Sequence, residues 1–354
     1  MKLLHITATH LDTAGGVPVV LKNLVEEQNK INDFSARVLS LTAKVNNMES
    51  EYFDILGDCT FKQYIEAKIP DVVILHSFFY IAYCPVVSTL VDMKIPYYIE
   101  PHGSFGKVAM KKSRLKKIVA NNTVFRKQLK YASGYVFLNQ TEMKDSIYRT
   151  NNDFIIPNGI NREHIRSANS ETKDDILYFI GRYDINHKGL DFLISALKIL
   201  DGRGQEFTIK FWGSGNEDAV RYLKEEVAEL KNLKVEIGEP IFSDEKDKVL
   251  EKCGPMLLTS RYEGFPMTVL EAWAYGNPCI VTPGTNVMHE IVDNELGWGV
   301  ELNAEAIADG IERAVKEYND KKQLYISKCK EYVENKYTWS CIARDSYLEL
   351  QKHI

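Results

Sequence analysis

Two cations and two carboxylates carry most of the chemistry legible in this 354-residue chain. Arg182 and Lys188 stand in GRYDINHKGLD, residues 181–191, and Glu263 and Glu271 in SRYEGFPMTVLEAWAYGNPCIV, residues 260–281. A planar guanidinium fork beside a mobile ammonium suits a diphosphate. Carboxylates repel phosphate, but they accept hydrogen bonds from the neutral hydroxyls of a sugar or ribose. Between the two glutamates, Pro266 suits a first helical position, where its missing N–H goes unused, and Gly276 and Pro278 stop that helix. The N–H groups of Met267 and Thr268 then point outward at a helix end carrying about half a unit of positive charge, an anion site. A plainer reading stays open: Glu271 answers the helix dipole, and Glu263, Arg182 and Lys188 are solvated surface charges.

Two weaker pieces accompany these. TAGGVPVVL sets Gly15 and Gly16 ahead of a helix, where paired glycines let backbone approach a phosphate closely. Such turns also serve packing alone. In IEPHGSFG, His102 follows a strand and precedes Gly103, which suits a cleft position or an ordinary structural histidine.

The elements that must position these residues alternate. Strands are expected near Leu3–Thr9, Arg37–Leu41, Val72–Ser77, Tyr97–Glu100 and Tyr135–Asn139, with helices between them, one over Val17–Lys30. FIIPNGINREHI, residues 154–165, supplies a joint. The alternation then restarts with ILYFIG and a helix carrying Leu190, Leu193, Ile194, Leu197 and Leu200 at helical spacing, followed by strands TIKFWG, KVEIG, PMLLTS and CIVT. This is how parallel-sheet α/β domains read. Two doubly wound domains are expected to face each other across a cleft, with a ligand over the strands' carboxyl ends. A length of 354 residues fits two domains.

Composition excludes some classes. A net charge of −5 and 45% hydrophobic content describe a soluble globular protein and not a general nucleic-acid binder. Six cysteines (59, 84, 253, 279, 329 and 341) show neither a Cys-x-x-Cys pair nor zinc spacing, which fits a reducing cytosol. MKLLHITATHLD reads as a strand and not a signal peptide. The most apolar stretch, Val72 to Val87, falls short of the roughly 20 residues that span a bilayer.

Taken together, the Gly-Gly turn at 15–16, His-Gly at 102–103, PNGI at 157–160, GRYDINHKGLD, GSG at 213–215, EGFPMTVLEAWAYGNP and YTW at 337–339 resemble the retaining, nucleotide-sugar-dependent glycosyltransferases of family 4, also called group 1. The resemblance covers nearly the whole chain in order. It implies the GT-B fold, with an acceptor-side Rossmann-like domain over 1–157, a donor-binding one over 158–336, and a terminal helix, 337–354, crossing back onto the first. It implies that Arg182 and Lys188 hold the donor diphosphate, with Gly16 and its neighbour Gly15 approaching it from the other domain. Glu271 would bind the ribose. Glu263 would contact the transferring sugar together with the backbone of Gly264, Phe265, Pro266, Met267 and Thr268. Gly213 would border the donor and His102 the sugar. Tyr183, where an aliphatic residue is commoner, and TPGTNVMHEIV, residues 282–292, depart from the family pattern.

Transfer of this kind leaves negative charge on the departing diphosphate. The chain has no Asp-x-Asp to hold a metal there, so no metal or cofactor is expected and Arg182, Lys188 and the helix N-terminus would act in its place. The expected partners are a UDP- or GDP-linked hexose-type donor and a glycan acceptor, lipid-linked, as in bacterial cell-surface polysaccharide synthesis. Lys107 to Lys130 contains nine Lys or Arg and no acid. At about 1 kcal/mol per cation facing an anionic leaflet, three to five of them give reversible binding, hence a cytoplasmic protein peripheral at the inner face of the membrane. The competing readings are a solvated basic face, a non-hydrolysing nucleotide-sugar epimerase, and a non-catalytic nucleotide-sugar-binding partner of another transferase.

Overall fold

The computed structural model describes residues 1–8, 16–42, 50–107, 110, 114–165 and 176–353. The chain divides into two compact units, Met1–Gly159 with Thr338–Ile354, and Ile160–Tyr337.

The first unit runs β1 (Lys2–Thr7), α1 (Gly16–Gln28), β2 (Ser35–Ser40), β3 (Phe53–Ile55), α2 (Phe61–Ala67), β4 (Val72–His76), α3 (Tyr83–Asp92) and β5 (Tyr97–Glu100). It continues with α4 (Arg114–Asn122), α5 (Arg126–Tyr131), β6 (Gly134–Phe137), α6 (Gln140–Asp145) and β7 (Phe154–Ile155). Among the described residues the sheet order is β3-β2-β1-β4-β5-β6-β7, and the paired strands are parallel. Such sheets are covered on both faces, so their strands are apolar throughout. In β4, VVILH, every residue is buried. The apolar stretch from Val72 therefore divides into this strand and α3. Among the described residues, no helix is long and apolar enough to cross a membrane.

The second unit runs β8 (Leu177–Ile180), α7 (Leu190–Gly202), β9 (Thr208–Trp212), α8 (Glu217–Ala228), β10 (Lys234–Gly238) and α9 (Ser243–Lys252). Then come β11 (Met256–Leu258), α10 (Met267–Ala274), β12 (Cys279–Val281), α11 (Met288–Asp293), β13 (Gly297–Gly299) and α12 (Ala304–Lys336). Here the order is β10-β9-β8-β11-β12-β13. The leucine-isoleucine stripe of α7 is buried, as its spacing demands. Helix α12 breaks at Lys321, which adopts φ −128° and ψ 24°.

The last helix, α13 (Trp339–His353), belongs with the first unit. There Tyr347 lies 5.0 Å from Phe34, and a Cβ on Gly159 would sit 2.7 Å from the Trp339 ring. Glycine at 159 is what lets this indole in.

In both sheets the chain reverses its direction of travel once, between β1 and β4 and between β8 and β11. Open α/β sheets bind ligands outside the carboxyl ends of the strands at such switch points. The candidate residues gather at these two places.

Candidate functional site

In the second unit, the loop leaving β8 and the loop leaving β11 are fastened to each other. Arg261 does much of the fastening. Its N–H donates to the His187 carbonyl at 2.9 Å, its Nη1 donates to the Asn186 carbonyl at 2.6 Å, and it grips Asp191 through two bonds of 2.8 and 2.6 Å. Its guanidinium also lies 4.6 Å from the centre of the Phe192 ring. Burial raises the pKa of Asp191, but Arg261 outweighs it and the carboxyl lies below its ordinary range. Thr259 Oγ1 donates to the Lys188 carbonyl at 3.1 Å. Gly189 makes the approach possible: its φ is +64°, and a Cβ there would lie 2.1 Å from the Thr259 carbonyl oxygen.

This fastening brings Lys188 and Glu263 together. Lys188 Nζ donates to Glu263 Oε1 at 2.6 Å, and both side chains are nearly buried, 12% and 11% exposed. Ser260 Oγ donates to the same oxygen at 2.6 Å. The His187 ring stacks on Tyr262 at 4.2 Å, donates from Nε2 to the Tyr262 carbonyl at 2.8 Å, and passes 4.0 Å from Glu263 Oε2. A third loop, after β12, closes the set. Asn286 Nδ2 donates to the Glu263 carbonyl at 2.6 Å, and Thr282 Oγ1 to the Ser260 carbonyl at 2.8 Å. Segment 282–292, which departs from the family pattern, thus braces the loop carrying Glu263.

Arg182 is exposed and borders a cavity of about 650 Å³, with Asp184, Asn186, Ser214, Asn216 and Tyr222 also on its wall. Lys188, Glu263 and Glu271 are not on that wall, so the cavity adjoins the cation–carboxylate pair without containing it. Tyr183 is a structural anchor. Its N–H donates to the Ser214 carbonyl at 2.7 Å and its hydroxyl to the Gly238 carbonyl at 2.6 Å, tying the ends of three neighbouring strands. Burial pushes its phenol well above the ordinary range. Gly213 is fixed by the same packing, since a Cβ there would sit 1.9 Å from the Gly181 carbonyl oxygen.

Helix α10 begins one residue later than its sequence suggests. Pro266 is the N-cap, with extended ψ of 108°, and Met267 is the first helical residue. The first N–H groups, from Met267 and Thr268, still have no carbonyl one turn back. Phe265 is buried against Tyr337 at 5.6 Å, which seats Gly264 and Pro266. Tyr337 is itself held: its hydroxyl, Tyr332 and Lys336 all donate to Glu290. Glu271 sits one turn into α10, half-buried, with Lys246 of α9 donating to it at 2.6 Å.

In the first unit, Gly15 lies outside the described residues and Gly16 opens α1. His102 follows β5 with φ +48°, and Gly103 with φ +80°. Both ring nitrogens of His102 turn inward. Nε2 is 3.2 Å from His76 Nδ1, and Nδ1 is 3.4 Å from Glu100 Oε1. His76 Nδ1 also lies 3.3 Å from Glu100 Oε2. Burial, and then the charge of Glu142, raise the pKa of Glu100 well above its ordinary value. Glu142 accepts from the Gly103 N–H at 2.5 Å, which holds the turn behind His102.

The model of the glycosyl transferases group 1 matches residues 161–337, half of the chain. The chain belongs to this family. An uncharacterized glycosyltransferase of Methanocaldococcus jannaschii is 28% identical over 186 residues, covering 51% of this chain and 46% of that protein. The chain spans about half the length of the curated relatives it matches. Among solved structures, Anabaena HepE in complex with UDP superposes with a TM-score of 0.75 at 15% identity, covering 99% of this chain and 100% of that one. The apo lipopolysaccharide outer core galactosyltransferase WaaB gives 0.71 at 15%, covering 100% of both. With the two parallel sheets, these likenesses give the GT-B fold.

For this group 1 chain, sequence reasoning found the cations and glutamates but missed what holds them. Lys246, Asn286 and Glu290 come from other loops or helices, Arg261 from the Glu263 loop itself, and none of them carries a motif. His5 and His76 were visible as polar residues inside apolar runs, yet nothing in the runs joined them to His102.

Proposed function

We propose that the protein is a retaining glycosyltransferase that moves a hexose-type sugar from a nucleoside diphosphate sugar to a hydroxyl of a glycan acceptor. The observation that carries this reading is the nearly buried Lys188–Glu263 pair at the β8/β11 switch point, with exposed Arg182 on the same loop as Lys188 and the start of α10 following Glu263. Family membership supports it, as do fold neighbours solved with UDP and with UDP-glucose.

In this reading Arg182, Lys188 and the first N–H groups of α10 receive the diphosphate. The bond from the anomeric carbon to the phosphate oxygen breaks, and its electron pair stays on the diphosphate. The acceptor oxygen bonds to the anomeric carbon on the same face, and its proton passes to the departing phosphate. Glu263, held by Lys188 and Ser260, orients the sugar. Glu271 takes the ribose hydroxyls with Lys246 fixing its rotamer. Positive charge on side chains and helix end performs the task without a metal. Each such preorganised donor is worth about 10²–10³ in turnover. Acceptor-dependent release of free nucleotide from UDP- or GDP-hexose tests the reading. Release that ignores the acceptor, or its absence across the donor panel, would contradict it.

A lipid-linked acceptor is part of the proposal. Among the described residues, Lys116, Arg126 and Lys130 are exposed on α4 and α5, beside exposed Ile118 and Val119. Cations interleaved with apolar side chains suit an anionic leaflet. Other described cations of the segment are engaged: Lys107 faces Asp145 at 3.7 Å, and Lys127 donates to Ser88 at 3.2 Å. Lys111 and Lys112 lie outside the described residues. Flotation with anionic but not neutral liposomes is the expected result; equal flotation would remove the membrane from the account.

A further inference from the structure

The cavity of about 650 Å³ in the second unit meets the proposed donor residues at Arg182, while Lys188, Glu263 and Glu271 stay off its wall. Crossovers between parallel strands are right-handed. Helices α7 and α8 join β8, β9 and β10 in one direction along the sheet, and α10 joins β11 to β12 in the other, so α8 and α10 cover opposite faces. Asp218 and Tyr222 of α8 line the cavity. It therefore lies on the side of Arg182 away from α10 and Glu271.

The wall is held from behind. A Cβ on Gly215 would sit 2.7 Å from Tyr183 Cβ, so the loops leaving β8 and β9 press together there. Asp184 Oδ1 accepts from the His187 N–H at 2.9 Å, which leaves Oδ2 3.9 Å from His187 Nδ1 and open to another donor. Asn216 Oδ1 accepts from the Ala219 N–H at 2.8 Å, so both hydrogens of its Nδ2 remain to donate. Asn186 is fixed through its carbonyl, which accepts from Arg261 Nη1 at 2.6 Å. Among the described residues, no partner within the chain takes the Asn186 side-chain amide or the Tyr222 side chain. The groups on offer are of complementary kinds: Arg182 and Asn216 Nδ2 donate, Asp184 accepts, and Asn186 and the Tyr222 hydroxyl do both. A pyranose hydroxyl donates one hydrogen bond and accepts others, so it needs both kinds at fixed places. The C–H face of the pyranose ring suits a half-buried aromatic such as Tyr222. Charge agrees. Asp218 is paired with Arg221, which leaves Asp184 set against Arg182 on a nearly neutral wall. A neutral saccharide suits it, and a second phosphate does not.

We infer that this cavity is a saccharide subsite for the glycan acceptor, with Tyr222 as its aromatic face and Asp184, Asn186 and Asn216 as partners of the sugar hydroxyls. The assignment rests on the retaining transfer proposed above. In same-face attack the acceptor oxygen enters beside the departing diphosphate, so the glycan runs out next to the group that holds that diphosphate. Arg182 is the edge the two places share. A cavity of about 650 Å³ is within the ordinary range of small-molecule sites.

The test is saturation-transfer NMR of the full chain with lactose, maltose and cellobiose at millimolar concentration, alone and with saturating UDP, GDP or ADP. At least one disaccharide should receive saturation, and it should still do so under the nucleotide that binds, because the subsite and the diphosphate place are neighbours. Tyr222→Ala should weaken that disaccharide about tenfold and Asn186→Ala about 3–10-fold. Both variants should melt as folded proteins and bind the nucleotide with wild-type affinity in calorimetry. No transfer to any of the three sugars, equal transfer from folded Tyr222→Ala, or displacement of the sugar by the nucleotide would overturn the subsite. A chain that binds the sugar through Tyr222 but binds none of the nucleotides would instead contradict the donor reading, and the acceptor role would fall with it.

Discussion

Replacing Lys188 with methionine separates the ion pair that the structure shows from the diphosphate contact proposed for the same ammonium. The substitution keeps the aliphatic stem and removes the charge. It leaves Glu263, 11% exposed, with Ser260 as its remaining side-chain donor in the pair. Stranding one partner of a buried ion pair costs about 3–5 kcal/mol, and a pair this close to solvent belongs at about 3. For a unit of this size, roughly 2–4 °C is lost per kcal/mol, so melting should fall by about 6–12 °C. Adding Glu263→Gln removes the stranded charge and should restore most of the stability. Turnover should behave differently. Lys188→Met is expected to lower kcat by about 10²–10³, and Glu263→Gln should not bring it back, because the diphosphate still lacks its cation. Thermal melting and acceptor-dependent nucleotide release on the four proteins of the cycle provide the readouts. If rate and stability recover together in the double variant, Lys188 serves only to neutralise Glu263, and the reasoning fails.

Other consequences are simpler. Arg182→Ala should reduce turnover about a thousandfold with unchanged melting, since the side chain is exposed; near-normal turnover would refute its assignment. Gly189→Ala should destabilise by about 3 kcal/mol or more, because the residue has φ +64° and its Cβ would meet the Thr259 carbonyl, whereas Gly57→Ala, with φ +58° in open space, should cost only about 1–2 kcal/mol. Equal losses in urea unfolding would show that the loop gives way. Burial raises the pKa of Asp54, but Arg37, Tyr64 and Lys68 lower it further, to about 2 from an ordinary 3.8. A lowered carboxyl pKa stabilises above the unfolded value and loses that stabilisation as pH falls through the folded one. Asp54→Asn should therefore cost about 1–2 kcal/mol at pH 7 after allowance for solvent screening. The difference should shrink between about pH 4 and pH 2, and a pH-independent difference would contradict the ion-pair account.

The alternation of strands and helices was legible because burial imposes periodicity. Helix α7 shows its core stripe in Leu190, Leu193, Ile194, Leu197 and Leu200, and β4 is apolar at nearly every position. Strands as short as Phe154–Ile155 leave no such pattern; the sheet makes them. Arg182, Lys188, Glu263 and Glu271 were readable because glycines and a proline bracket them. Their partnerships were not, because salt bridges depend on which loops the topology brings together. Lys188 and Glu263 are separated by 75 residues, and Arg261 and Asp191 by 70. Pro266 shows a local limit: its missing N–H suits the first helical position, but its extended ψ puts the start at Met267. The histidine cluster joins β1, β4 and the turn after β5, whose relation only the parallel register reveals.

The most direct test of the central claim is calorimetric titration of the full chain with UDP, GDP and ADP in EDTA, repeated with Arg182→Ala. At least one nucleotide should bind without metal, and Arg182→Ala should weaken it about tenfold or more, the worth of a hydrogen bond to a charged group. Binding that requires a divalent ion, or that is indifferent to Arg182, would contradict a diphosphate held by side-chain cations and a helix end.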